Sequence, residues 1–126
     1  MRIAGQEVKK GESKRIHANI AKLPSGTLID IPIFVHRAKK EGPSLLLIAG
    51  MHGDEINGVE IMRRIISEEL HLVECGTVIC IPIINIYGFI NFSRDVPDGK
   101  DINRSFPGSK SGSLASQVAH FLMDEI

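Results

Sequence analysis

The chain has 126 residues, with 15 lysines plus arginines against 15 aspartates plus glutamates and no formal net charge. That describes one ordinary domain with enough apolar residues for a core, and it provides no field for capturing nucleic acid. Cys75 and Cys80 are too few for a disulfide scaffold, and the sequence shows no signal peptide and no apolar run of membrane-spanning length, so a cytoplasmic address with no membrane attachment is expected.

In chain order, residues 15–23, RIHANIAKL, alternate apolar and polar side chains and run into PSG, and residues 28–36, LIDIPIFVH, alternate again; a hairpin or two neighbouring strands is expected. The Lys-rich stretches VKKGESKR and RAKKEG read as solvated loops flanking these strands. GPSLLLIAG is a short continuous apolar run, the pattern of a strand covered on both faces. From Asn57 to about Leu72, Val59, Ile61, Met62, Ile65, Ile66 and Leu70 recur at helical spacing, with Arg63, Arg64, Glu68 and Glu69 on the other side. GTVICIPIIN is a second buried-type strand, with Cys80 inside it as a small core residue and Cys75 at the surface.

A long irregular segment follows, YGFINFSRDVPDGKDINRSFPGSKSGS, in which Phe106 and Pro107 are expected to anchor the loop. The last stretch, SLASQVAHFLMDEI, places Leu114, Val118, Phe121, Leu122 and Ile126 at helical intervals. Strand, helix, strand, loop, helix is a right-handed crossover with a parallel pair of strands at its centre, so the fold class is α/β. So long a loop in so small a domain implies a functional role. A sheet of two parallel strands and one hairpin leaves an open edge, and the sequence stops inside an amphipathic helix; residues 1–126 are therefore expected to be the N-terminal part of a longer catalytic domain.

Two clusters carry the candidate chemistry. His52 and Glu55, in GMHGDEINGVE, lie where the first apolar strand runs out. Two ligands three apart on one helical turn share a face, and imidazole with carboxylate suits zinc; equally, Glu55 reads as an acidic group favoured by a helix dipole. The second cluster is Arg94, Asp101, Asn103 and Arg104, in the loop after the next strand. Open parallel sheets bind ligands outside the carboxyl ends of their strands, where both clusters fall. Arginines beside an asparagine can bind a carboxylate or stabilise an oxyanion, although Arg104 alone also reads as a surface ion-pair residue.

GMHGDEINGVE, NxYGFxNFSR and DINRSFPG, in that order from Leu45 to the end, resemble the succinylglutamate desuccinylase and aspartoacylase family of the zinc carboxypeptidase-like superfamily. The resemblance implies a three-layer αβα fold with a mostly parallel or mixed sheet, cut after its second main helix. It implies that His52 and Glu55 are the first two ligands of one Zn2+, that Arg94 polarises the scissile carbonyl, that Asn103 and Arg104 hold the substrate carboxylate, and that Asp101 supports them by ordering the loop or an arginine. The family's third ligand, a later histidine in an Asp-Leu-His context, and its glutamate base have no counterpart here; His17, His36, His71 and His120 lack that context, as Glu125 does for the base.

The implied reaction is zinc-dependent hydrolysis of the amide bond of a small N-acyl amino acid or related carboxylate-bearing amide. These 126 residues alone are expected to be inactive, to bind zinc weakly and to be marginally stable or self-associating. A metallocarboxypeptidase-type peptidase and a non-catalytic carboxylate- or anion-binding α/β module are the rival readings. GxxxxGK and GxGxxG loops are absent, Tyr87 is the only tyrosine and tryptophan is missing, so nucleotide and nucleic-acid partners have no support, and nothing in the sequence fixes an oligomeric state.

Overall fold

Alternation builds the hairpin. In the computed structural model, which describes residues 1–22 and 25–126, β1 (Arg2–Ile3) and β2 (Gln6–Glu7) form a small separate ribbon, and β3 (Glu12–Lys22) pairs antiparallel with β4 (Leu28–Arg37). The expected strand end at Leu23 and the start of the turn at Pro24 lie outside the described residues. Along β4, Ile29, Ile31, Ile33 and Val35 are buried while Asp30 between them is exposed and Pro32 and Phe34 are half-buried, the period of two that one covered face demands.

The parallel pair is formed by β5 (Lys40–Ile48) and β6 (Cys75–Ile81), joined through α1 (Ile56–Ser67), and the four-stranded sheet has the order β3-β4-β6-β5. Since β4 is antiparallel to β6, the sheet is mixed. Both faces of β6 are covered: Val78 and Cys80 pack with Met62 of α1, and Ile79 and Ile81 pack with Val118 and Leu122 of α3 (Leu114–Glu125). Helix, sheet and helix thus make three layers, with the larger core on the α3 side, where Ile3 and Val8 from the ribbon also insert. Cys80 is buried and Cys75 exposed, as their contexts imply.

Several expectations are corrected. β5 is not covered on both faces but is an edge strand, with Leu45 52% and Leu46 39% exposed. A continuous apolar run is compatible with either position; here only β6 lies beside it, and α1 packs against its end at Leu47 and Ala49. α1 stops at Ser67 and not near Leu72, because Glu69 turns left-handed at φ +57° and leaves Leu70 in solvent; Ile61 is also exposed, outside the stripe centred on Met62.

The segment after β6 is not structureless either: it contains α2 (Ile86–Asn91) and a 3-10 turn, Ile102–Arg104. Its anchors are Val96 and Ile102, both buried beneath α3, whereas Phe106 and Pro107 are exposed. Ile102 is fully buried, so Ile102→Ala should cost about 2–5 kcal/mol by lost transfer energy and the cavity left behind. Chemical denaturation checks this; a loss below about 1 kcal/mol would contradict the anchoring role.

Candidate metal and substrate site

The two parallel strands deliver the site at their carboxyl ends. The Ala49 N–H donates to the Ile81 carbonyl at 2.9 Å, and Gly50, at φ +58°, then turns the chain out of the sheet in a conformation that favours glycine. His52 is 6% exposed just beyond this turn. The pair does not sit on a helical turn as the spacing suggests: Glu55 precedes α1, and a turn closed by the Glu55 N–H donating to the His52 carbonyl at 3.2 Å brings the two side chains together. Glu55 occupies the N-cap position of α1, but its carboxylate makes no capping hydrogen bond. It faces the histidine instead.

His52 Nε2 donates to Asp101 Oδ1 at 3.0 Å, and because a carboxylate oxygen there can only accept, the ring proton is fixed on Nε2. Nδ1 is then left as a lone pair. It is buried without a hydrogen-bond partner, and Glu55 Oε1 stands 3.1 Å away. A lone pair facing a carboxylate oxygen at that range is repulsive unless a cation, a proton on Nδ1 or a metal ion, lies between them, and with a metal ion His52 Nδ1 and Glu55 fit as a nitrogen and oxygen donor pair. Among the described residues, no cluster of three or more His, Cys, Asp or Glu side chains converges to complete a cage.

Asp101 joins the two clusters. Its Oδ1 accepts from His52 and from the Asn103 N–H at 2.8 Å, and its Oδ2 accepts from Arg94 Nε at 3.1 Å, with Arg94 Nη2 ion-paired to it at 3.0 Å. Burial pushes the Asp101 carboxyl up, but the hydrogen bonds from His52, the Asn103 N–H and Arg94 outweigh it and hold the group below its ordinary range. It therefore stays ionised into mild acid. Asp101 thus contacts Arg94, the 3-10 turn at Asn103 and His52; the last contact has no signal in the sequence because the residues are 49 positions apart.

Arg94 is about half exposed, and with Nε and Nη2 on Asp101 its Nη1 stands 4.0 Å from Glu55 Oε1, leaving one edge of the guanidinium for an incoming oxygen. Asn103 and Arg104 lie on the 3-10 turn beside this cluster; both are exposed, and among the described residues neither side chain is hydrogen-bonded. Backbone contact holds the clusters in register: the Gly53 N–H donates to the Ser93 carbonyl at 2.9 Å, one residue before Arg94, and a Cβ on Gly53 would fall 1.7 Å from the carbonyl carbon of Gly88.

The other histidines lie elsewhere. His36 lies between Ser13 Oγ and the Val73 carbonyl, His17 beside Asp30 and His71 near the Ile65 carbonyl, while His120 Nε2, on α3 and 3.7 Å from Asp124 Oδ2, is likewise buried without a hydrogen-bond partner. The cavities of about 700 Å³ between α1 and α2 and about 490 Å³ between β3 and α3 do not include His52, Asp101 or Arg94. Donor geometry, not concavity, marks this site.

The αβα layering around a mixed sheet is that of the zinc carboxypeptidase-like fold. Residues 41–126 match the succinylglutamate desuccinylase/aspartoacylase catalytic domain, and the chain belongs to that family of deacylating hydrolases. It is 36% identical over 92 residues to an N-alpha-acetyl-L-2,4-diaminobutyric acid deacetylase of Halomonas elongata, a match covering 72% of this chain and 27% of the deacetylase. A succinylglutamate desuccinylase/aspartoacylase from Rhodobacter sphaeroides superposes with a TM-score of 0.79 at 31% identity, over 100% of this chain and 40% of that one. An aspartoacylase family protein from Mesorhizobium loti gives the same TM-score, 0.79, and the same 31% identity over 91% of this chain and 36% of its own. The chain thus spans about a quarter to two fifths of the length of these relatives. Among the described residues no helix is long and apolar enough to cross a membrane.

Proposed function

We propose that this chain supplies part of the active site of a zinc-dependent hydrolase that cleaves the amide bond of a small N-acyl amino acid or related carboxylate-bearing amide. The observation that carries the reading is the buried, unpartnered Nδ1 of His52 held 3.1 Å from the Glu55 carboxylate. His52 and Glu55 would hold the ion, and the third ligand and the general base come from outside these 126 residues. When bound, zinc supplies Lewis acidity that activates water and polarises a carbonyl.

The chain's own residues account for the rest. Asp101 keeps His52 in the tautomer whose free nitrogen faces Glu55. Arg94, steadied by the same carboxylate, presents Nη1 to the oxygen on which negative charge develops during attack. Asn103 and Arg104, with side chains free to reach a ligand, select substrates bearing a nearby carboxylate. Family membership and the deacetylase relative favour an acylated amino acid over a peptide.

The test is hydrolysis of N-acetyl and N-succinyl amino acids against peptides with a free C-terminus, by the full natural protein before and after chelation. Faster turnover of the acyl amino acids, lost on chelation and restored by zinc, is expected; preference for the peptides, or activity indifferent to chelation, would refute the reading. The 126 residues expressed alone should show no hydrolysis above a metal-free control and should bind zinc more weakly than the full protein, because each missing ligand removes coordination and pre-organisation. Turnover by the isolated 126 residues would contradict the expected division of the site.

A further inference from the structure

We propose that Asn85 is the positioning residue for Arg94, an inference that rests on the role given to Arg94 above. Asn85 follows β6, is 2% exposed and touches nothing that reacts. Three of its polar groups tie three separate pieces of the site together. The backbone N–H donates to the Gly50 carbonyl at 2.9 Å, fixing the strand end that leads to His52. The side-chain Oδ1 accepts from the Gly88 N–H at 2.8 Å and caps α2. The side-chain Nδ2 donates to the Arg94 carbonyl at 3.2 Å.

The orientation of the amide is fixed by chemistry, because an N–H can only donate and a carbonyl can only accept. An ordinary helix cap needs only the acceptor, which serine, threonine or aspartate supplies equally well. A hydroxyl carries donor and acceptor on one oxygen, whereas the amide offers an acceptor to α2 and a donor to Arg94 on two separate, diverging atoms. The surroundings leave no slack: a Cβ on Gly88 would lie 2.4 Å from Asn85 Nδ2 and 2.7 Å from the Ser93 carbonyl oxygen, and the Ser93 N–H donates to the Gly88 carbonyl at 2.8 Å. The Arg94 backbone is therefore held by Asn85 on one side while its guanidinium is held by Asp101 on the other. With both ends set, Nη1 has one place to point.

Asn85→Asp keeps the capping acceptor and removes the donor, and Asn85→Ser keeps a capping oxygen but puts one shorter hydroxyl in place of two diverging polar atoms, so both separate helix formation from the positioning of Arg94. In the full natural protein, NMR of labelled arginine reads the exchange of the Arg94 Nε–H, assigned with Arg94→Lys. Both variants should keep wild-type zinc content and a melting temperature within a few degrees, while the Nε–H exchanges about fivefold to tenfold faster, the factor expected for losing one ordinary hydrogen bond. kcat should fall by a similar factor with KM nearly unchanged, as for an interaction made in the transition state. Faster exchange in both variants of a protein found to hold no zinc would support the Asn85 tether while removing the hydrolase reading. Exchange and kcat equal to wild type in either folded variant would overturn the proposal.

Discussion

Gly53→Ala should take the site apart. The added methyl would lie 1.7 Å from the Gly88 carbonyl carbon, 2.0 Å from its oxygen and 2.2 Å from the Phe89 nitrogen, all backbone atoms that no rotamer change can move aside. The loop carrying His52 and Glu55 must then withdraw from the end of α2, breaking the bond from the Gly53 N–H to the Ser93 carbonyl and separating the donor pair from Arg94. Overpacking of a close backbone contact costs about 3 kcal/mol or more, and zinc binding should be lost with it. Gly58→Ala is the control: it lies inside α1, where a Cβ would meet only the Ala49 Cβ at 3.4 Å, and helix propensity favours alanine by up to about 1 kcal/mol. Thermal unfolding of the two variants should therefore shift in opposite directions or, for Gly58→Ala, hardly at all. A Gly53→Ala protein as stable as wild type would mean that the two loops do not touch.

Asp101→Ala should weaken zinc about 10- to 100-fold, the usual effect of removing the outer carboxylate that orients a ligating histidine. Without it, the proton on His52 is free to move to Nδ1, the atom that must face the metal. Arg94 loses the carboxylate that holds Nε and Nη2, so turnover should fall further than metal loss alone explains. Asp101→Asn retains an acceptor for the Nε2–H but no charge for the guanidinium, and should fall between. Competition with a chromophoric chelator measures the affinity; zinc held within about twofold of wild type in Asp101→Ala would show that His52 needs no orientation from this residue.

Where a pattern repeats along the chain, the structure was legible in advance. Alternation in residues 28–36, the helical spacing of Val118, Phe121 and Leu122, and the crossover between two apolar strands all correspond to elements that bury those side chains. Non-repeating features were not legible. α2 is six residues long and contains Gly88, too short for a periodic signal, and the edge position of β5 depends on its neighbours and not on its own composition.

The site divides in the same way. His52 and Glu55 stand out by spacing, but the physical reason is a turn before the helix and not a shared helical face. Asp101 stands out by its motif, yet its bond to His52 arises only when the loop folds back across the strand ends. Asn103 and Arg104 owe their assignment to the resemblance, and their exposed side chains are consistent with waiting for a ligand. Gly53 and Asn85, which hold these pieces in register, lie within the motifs but carry no chemistry that would single them out.

Elemental analysis of the full natural protein, with its His52→Ala and Glu55→Ala variants, decides whether His52 and Glu55 hold a metal. About one zinc per chain in the wild type, lost in both variants, is the predicted result. Protein purified without chelator that holds no metal even after zinc is supplied, or variants that retain the full complement, would contradict it.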